Sequence, residues 1–412
     1  MHVELLDILR CPFCGGTLTL DASEWHQQER DEIQGGILAC HCCTFPVIAG
    51  IPVMHLADSV TVAADHVRAG RPELARQVIC ATEQPQRFDE IVSSPDSTYR
   101  DAVAALVPEF EAAYFLHRFS DPTFVVAHAL ARAVAATVLR KGGRTLDVCG
   151  GSGHLTRSLM DISSPPPVVA DLYFAKLWLA RRFTAPGCEA VCCDANGPLP
   201  FARNAFRFAM CTDAFMFIWT KRQLVGEMMR AIDDGRHGGA ALISHAHNEL
   251  RWSPSHGQPL TPKGYRQLFE TIAPRVFAES ELLTDVVNGG PLDLSRRDGD
   301  DRLDIDPALV LIATESAEVF APHDLEPAAG LSGELRLNPL YAAESEGNLV
   351  RLRLQFPSAH YAEEFSACRQ YLPESVVVSQ GALEAVADGR LTREVADLAR
   401  LRVVLDLPRR YY

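Results

Sequence analysis

Four thiols at metal-ligand spacing stand near the start of the chain. Cys11-Pro-Phe-Cys14 and Cys40-His-Cys42-Cys43 are separated by 25 residues. Zinc takes four thiolate or imidazole ligands in a tetrahedron, and two Cys-x-x-Cys knuckles supply them. The spacing points to Cys11, Cys14, Cys40 and Cys43 as ligands of Zn2+, with His41 and Cys42 close enough to compete. In so small a unit the metal stands in for a core that could not hold itself together.

A second chemical run is Arg144-Thr-Leu-Asp147-Val-Cys149-Gly150-Gly151-Ser152-Gly153. It reads as a strand ending in an acid, then a turn of small residues entering a helix. Such a turn lets a ligand lie against backbone that side chains would otherwise cover. A phosphate-binding dinucleotide loop has the same outline, so the continuation matters. Asp171 ends the next apolar run, Asp194 closes the third before Leu199-Pro-Phe201, and Asp213 follows the fourth.

These four elements, in order and at this spacing, resemble the class I S-adenosylmethionine-dependent methyltransferases over about residues 140–315. The resemblance implies an α/β fold with a Rossmann-like seven-stranded sheet and S-adenosylmethionine as cofactor. It places Asp147, Gly151 and Gly153 at the methionine end, Asp171 at the ribose and Asp194 at the adenine amino group. Cys149 and Asp213 complete the candidate cofactor set. Cys149 stands where the family's turn has its first glycine.

Methyl transfer is a displacement at a sulfonium, so an enzyme mainly positions the nucleophile and excludes water. A general base is needed only for an acceptor that carries a proton at neutral pH. Ser244-His245-Ala-His247-Asn-Glu-Leu-Arg251-Trp-Ser-Pro-Ser-His256 follows the fifth apolar run, where loops of this fold flank the reacting groups. His245, His247 or His256 can serve as base, Arg251 can hold an anion, and the same histidines can form a second metal site. Tyr114 and His117, in an aromatic segment ahead of the turn, are further candidates for touching substrate, or else members of a packed stripe.

The elements that must carry these groups divide the chain into four. Residues 1–56 form the zinc-ribbon unit and 57–140 a helical connector with lid helices. Residues 141–315 form the Rossmann-like domain and 316–412 a small α+β cap. Strands are expected at Thr145–Cys149, Val168–Asp171, Ala190–Asp194, Phe206–Thr212, Ala240–His245, Val276–Leu283 and Ala308–Thr314. Helical stretches between them argue for a mostly parallel sheet covered on both faces. Two helices are expected over 101–141. In the tail, Glu334–Tyr341 and Leu349–Phe356 should pair as a hairpin, followed by a helix near His360–Tyr371, an extended Ser375–Ser379 and terminal helices.

Leu9-Arg-Cys-Pro-Phe-Cys-Gly-Gly and the close Phe45-Pro-Val-Ile-Ala-Gly-Ile-Pro-Val-Met54 resemble the small zinc-ribbon activator subunit of tRNA and release-factor methyltransferases. That resemblance implies a ribbon that stabilises a methyltransferase without catalysing anything.

The chain has 47% hydrophobic and 22% charged residues, as a globular protein with a sizeable core does. A net charge of −14 counts against a broad nucleic-acid surface. No apolar run approaches the roughly 18 residues of a spanning helix, so no membrane partner is expected. The scattered remaining cysteines fit a reducing compartment, hence the cytoplasm. The leading reading is methyl transfer to oxygen, nitrogen or carbon of a small metabolite or natural-product intermediate. The alternatives are a methyltransferase acting on tRNA, rRNA or a translation factor, and a non-catalytic cofactor-binding scaffold.

Overall fold

Short apolar runs separated by helices assemble into a seven-stranded mixed sheet in this computed structural model, which describes residues 1–107, 109–232, 238–253, 257–325, 333–347, 349–364, 366, 369 and 371–412. Ahead of it, β1 (Thr19–Leu20), β2 (Gln27–Glu29), β3 (Glu32–Ala39), β4 (Thr44–Ile48) and β5 (Ile51–Pro52) form an antiparallel ribbon ordered β1-β3-β4-β5, with β2 also on β3.

Six helices then cross the polar connector and the lid region: α1 (Asp58–Arg68), α2 (Pro72–Cys80), α3 (Pro85–Ser93), α4 (Tyr99–Leu106), α5 (Glu109–His117) and α6 (Pro122–Val138). The region 101–141 therefore holds parts of three helices where two were expected. Asp121 starts the last of them, its carboxylate accepting from the Thr123 N–H, with Pro122 at the position where a missing N–H costs nothing.

The central sheet comprises β6 (Thr145–Val148), β7 (Val168–Asp171), β8 (Glu189–Cys192), β9 (Phe208–Thr212), β10 (Ala240–His247), β11 (Arg275–Ala278) and, after the short β12 (Leu292–Asp293), β13 (Ala308–Thr314). Its order is β11-β13-β10-β9-β6-β7-β8. Neighbours from β10 to β8 run parallel, and β13 runs antiparallel to both strands beside it. Every residue of β6, β7, β8 and β13 is buried, as strands covered on both faces should be. The helices α7 (Phe174–Leu179), α8 (Lys221–Ala231), α9 (Pro262–Arg266), α10 (Glu279–Val287) and α11 (Asp300–Leu303) complete this part.

Two local expectations give way here. The run Val276–Leu283 is strand only as far as Ala278. Glu279 and Glu281 then favour the first turn of a helix whose Leu282, Leu283 and Val286 face the core. After the small-residue turn the chain makes only a short 3-10 turn at Thr156–Leu159, not a full helix.

The ribbon continues the sheet beyond its β8 edge. Val53 bridges Cys192 in parallel, and the Met54 N–H donates to the Cys192 carbonyl at 2.6 Å. Leu9 bridges Phe201, and Arg181 ties the ribbon down by donating to the carbonyls of Ala49 and Gly50 and to Glu32. Leu5, Leu9, Phe45 and Met54 share one buried cluster with Leu146, Val191 and Phe201.

In the cap, β14 (Pro322–His323) pairs with β12. β15 (Glu334–Leu337) pairs not with a hairpin partner but with β19 (Val404–Leu407). The hairpin is instead β16 (Tyr341–Glu346) with β17 (Leu349–Leu354), and β18 (Ser375–Ser379) joins it. Asn338 makes the difference, since its side chain accepts from the Leu340 N–H and turns the chain between β15 and β16. Helices α12 (Ala359–Glu364), α13 (Gln380–Ala387) and α14 (Arg393–Arg400) pack here, but the chain finishes through β19 rather than in helix. No helix among the described residues is long and apolar enough to cross a membrane.

Candidate active site

The carboxyl ends of β6, β7, β8 and β9 bring Asp147, Asp171, Asp194 and Asp213 to one side of the sheet. Between the first two lies the turn. Cys149, Gly151 and Gly153 take φ of +58°, +54° and +75°, so the turn depends on left-handed backbone. A Cβ at Gly151 would meet the Phe115 ring of α5 at 3.8 Å, so that helix lies in ordinary contact over the turn.

Asp171 ties the turn to the segment that follows β7. Its carboxylate accepts from the Gly151 N–H at 3.0 Å and the Tyr173 N–H at 2.9 Å. Burial raises its pKa against these hydrogen bonds. Each oxygen keeps lone-pair capacity for a further donor. Asp194 accepts from the N–H and side chain of Asn196, whose own carbonyl oxygen receives the Trp219 N–H. Asp147 differs from the other acids. It is 1% exposed and accepts from the Thr156 hydroxyl at 2.6 Å, and burial pushes its pKa up to about 7. It braces the turn from within the core.

A relay of neutral groups backs the turn. Tyr411 donates its single proton to the Phe115 carbonyl at 2.8 Å, so its oxygen receives the His154 Nε2–H, also at 2.8 Å. His154 Nδ1 then accepts from Ser152, and Ser152 from Tyr99. Burial lowers the His154 pKa to about 3, keeping the imidazole neutral.

Past the turn lies a strained pair, one residue just after β9 and one within β10. Asp213 and His245 adopt φ of +54° and +52°, and the β10–β13 register shifts between Ile243 and Ala246. Non-glycine residues in this region concentrate at functional sites. Tyr114 donates to Asp213 at 2.9 Å, and the buried Arg118 lies 3.5 Å from the same carboxylate and 3.1 Å from Asp121. His245 Nδ1 meets Glu279 at 2.6 Å while Nε2 stands 3.9 Å from Asp213. Burial alone would lower the His245 pKa, but Glu279 and Asp213 outweigh it and raise it to about 10. His247, its Nδ1 3.1 Å from the Ser253 hydroxyl, is lowered to about 4 by burial and by His245.

The structure thus brings Tyr114, Asp213, His245 and His247 together. His117 lies apart, against Tyr361 of the cap, with its pKa lowered to about 4 chiefly by burial. His256 lies outside the described residues. Arg118 and Glu279 are absent from the sequence reading. Arg118 stood within the aromatic segment that holds Tyr114, and its charge there was the available signal. Glu279 comes from a helix start misread as strand, so nothing nearby marked it.

At the ribbon, the sulfurs of Cys11, Cys14, Cys40 and Cys42 lie within 4.8 Å of one another. Cys11–Cys42, Cys14–Cys40 and Cys40–Cys42 are 3.6, 3.8 and 3.5 Å apart. A tetrahedron with Zn–S near 2.3 Å separates its sulfurs by about 3.8 Å, so the group has the size zinc requires. Cys42 therefore takes the place expected for Cys43, whose sulfur lies 3.4 Å from Cys42 and packs against the core. Although burial works against it, the N–H groups of Cys42 and Cys43 help hold Cys40 down to about 6.

No protein-family profile matches the chain, and no curated protein does. Among solved structures, a methyltransferase from Bacillus halodurans is 18% identical, over 44% of this chain and 94% of that one, with a TM-score of 0.29. A Haloferax volcanii complex of a methyltransferase with a methyltransferase activator is 17% identical, over 47% and 91%, with a TM-score of 0.33. A methyltransferase from Thermotoga maritima, described there in connection with histamine, is 16% identical, over 53% and 100%, with a TM-score of 0.33.

Proposed function

We propose that this chain is an S-adenosylmethionine-dependent methyltransferase acting on a small-molecule acceptor. The observation that carries the reading is the left-handed turn at Gly151, with Asp171 hydrogen-bonded to it and Asp194 and Asp213 at the carboxyl ends of neighbouring strands. When bound, S-adenosylmethionine supplies an electrophilic methyl group on a sulfonium. The free lone pairs of Asp171 suit ribose hydroxyls, and Asp194 suits the adenine amino group. Cys149, Gly151 and Gly153 leave backbone bare for the methionine part.

Acceptor chemistry falls to the groups at β9 and β10. Tyr114 and Phe115 on α5 lie over the turn and keep water from it. An acceptor proton meets the Asp213–His245–His247 cluster. Phe217, Trp219, Leu250 and Trp252 stand exposed on the loops after these strands, which suits an apolar acceptor. With a net charge of −14, this apolar rim favours a metabolite over a polyanion. In the ribbon, Cys11, Cys14, Cys40 and Cys42 would hold zinc, which fixes the fold of that unit.

Calorimetric titration of the zinc-loaded chain with S-adenosylmethionine and S-adenosylhomocysteine tests the reading. Binding of both, abolished by Gly151→Val, is expected. Absence of binding by the wild-type chain would overturn it.

A further inference from the structure

Near the turn lies a cluster whose chemistry goes beyond positioning. Asp213, His245 and His247 each place one ligand atom within 4.8 Å of the other two. They come from adjacent parallel strands, and the left-handed backbone at Asp213 and His245 aims two of them at a common point. We propose that these three residues form a divalent-cation site of the two-histidine, one-carboxylate kind, placed to bind an acceptor through two adjacent oxygens.

Three features support a cation over a simple charge network. First, a metal-binding histidine characteristically gives its other ring nitrogen to a carboxylate or similar partner. Glu279 occupies His245 Nδ1 at 2.6 Å and also accepts the His245 backbone N–H at 2.8 Å. Ser253 stands 3.1 Å from His247 Nδ1. Among the described residues neither Nε2 carries a hydrogen bond, so both remain for a metal.

Second, the surrounding charge calls for a cation. Asp213, Glu279 and Asp121 face Arg118 as the guanidinium among them. These three carboxylates outnumber the guanidinium and the imidazole beside them, and a divalent ion is drawn to the excess. Third, the backbone is anchored where precision matters. Tyr265 donates to the His247 carbonyl at 2.7 Å, and the Asn248 side chain donates to the carbonyls of Leu303 and Asp306.

Mixed imidazole and carboxylate ligands suit first-row ions such as Mn2+, Fe2+, Co2+ or Zn2+. Three protein ligands leave neighbouring coordination positions open. An acceptor carrying two adjacent oxygens, as in a catechol, a hydroxamate or an α-hydroxy acid, would fill them. This part of the proposal rests on the methyltransferase reading, whereas the cation site does not.

Mn2+ is the probe, added to chain carrying a single equivalent of zinc, because the four thiolates take that one ion in preference to imidazole and carboxylate and leave the second site vacant. Electron paramagnetic resonance titration of the zinc-loaded full chain should show one bound Mn2+, with nitrogen couplings from imidazole in the electron spin echo. That readout uses the wild-type protein and needs no variant to fold. His247→Gln should weaken binding at least tenfold, and Glu279→Gln, which only orients His245, by about 10–100-fold.

No bound Mn2+ at millimolar concentration, or bound Mn2+ without imidazole coupling, would overturn the site. Acetohydroxamate should alter the spectrum of the bound ion. An unchanged spectrum would overturn the open positions for a chelating acceptor. Titration of S-adenosylmethionine into the same samples separates the two readings. Cofactor binding without Mn2+ binding overturns the cation site alone, and Mn2+ binding without cofactor binding overturns the methyltransferase reading alone.

Discussion

At φ +58°, Cys149 holds a backbone conformation that costs a residue with a Cβ on the order of 1 kcal/mol or more. Its thiol is raised well above the ordinary range, first by the hydrogen bond with Cys211 and then by burial, so it stays protonated. Cys149→Gly should therefore raise the unfolding free energy, read from urea melts, by about 1 kcal/mol. A lower midpoint would mean that contact with Cys211 outweighs the strain. Gly151→Val acts in the opposite sense, forcing a β-branched side chain into φ +54° and against the Phe115 ring. Loss of S-adenosylmethionine binding, with destabilisation of about 1–3 kcal/mol, is expected by calorimetry. The departure at Cys149 was legible from spacing alone. Its energetic sense was not, because Cys211 comes from another strand.

Elements add a pH dependence that single residues do not reveal. His154 sits between the turn and the chain's last segment, and His128 lies on α6 with its Nδ1 2.7 Å from Ser158. Burial lowers both to about 3, below the 6.5 of a free imidazole. The unfolded chain thus takes up protons first as pH falls. Their contribution is complete above about pH 6.5 and diminishes towards the folded values. Between pH 7.5 and 5, His154 alone accounts for about 2 kcal/mol of lost stability, and His154→Gln should flatten the fall in urea midpoints by that amount. An unchanged slope would show His154 to be solvated in the folded state. Strands buried over their whole length, such as Val168–Asp171 and Ala308–Thr314, were readable to the residue from their apolar runs. Boundaries set by distant partners were not. The partner of β15 lies some 70 residues on in β19, and the choice of Cys42 over Cys43 depends on how the second knuckle turns towards Cys11.

Across the whole molecule, the ribbon and the sheet share one core, so zinc should stabilise both. Stripping the metal with a chelator is expected to lower the melting of the entire ribbon–sheet unit in a single calorimetric transition, since metal binding there is folding free energy. Two separate transitions, the larger unmoved, would show the units to be independent. The alternation of strands and helices in the sheet was legible in the sequence, but the docking of the ribbon was not, because Val53 and Cys192 carry no mark of pairing in one dimension. That pairing has a further consequence during synthesis. β8 is the border strand of the sheet, and an uncovered border is where identical chains join and precipitate. The ribbon leaves the ribosome well before β8 does, and domains generally fold in the order they emerge. The newborn strand meets a finished neighbour from its own chain, and crowded nascent copies find that border already taken.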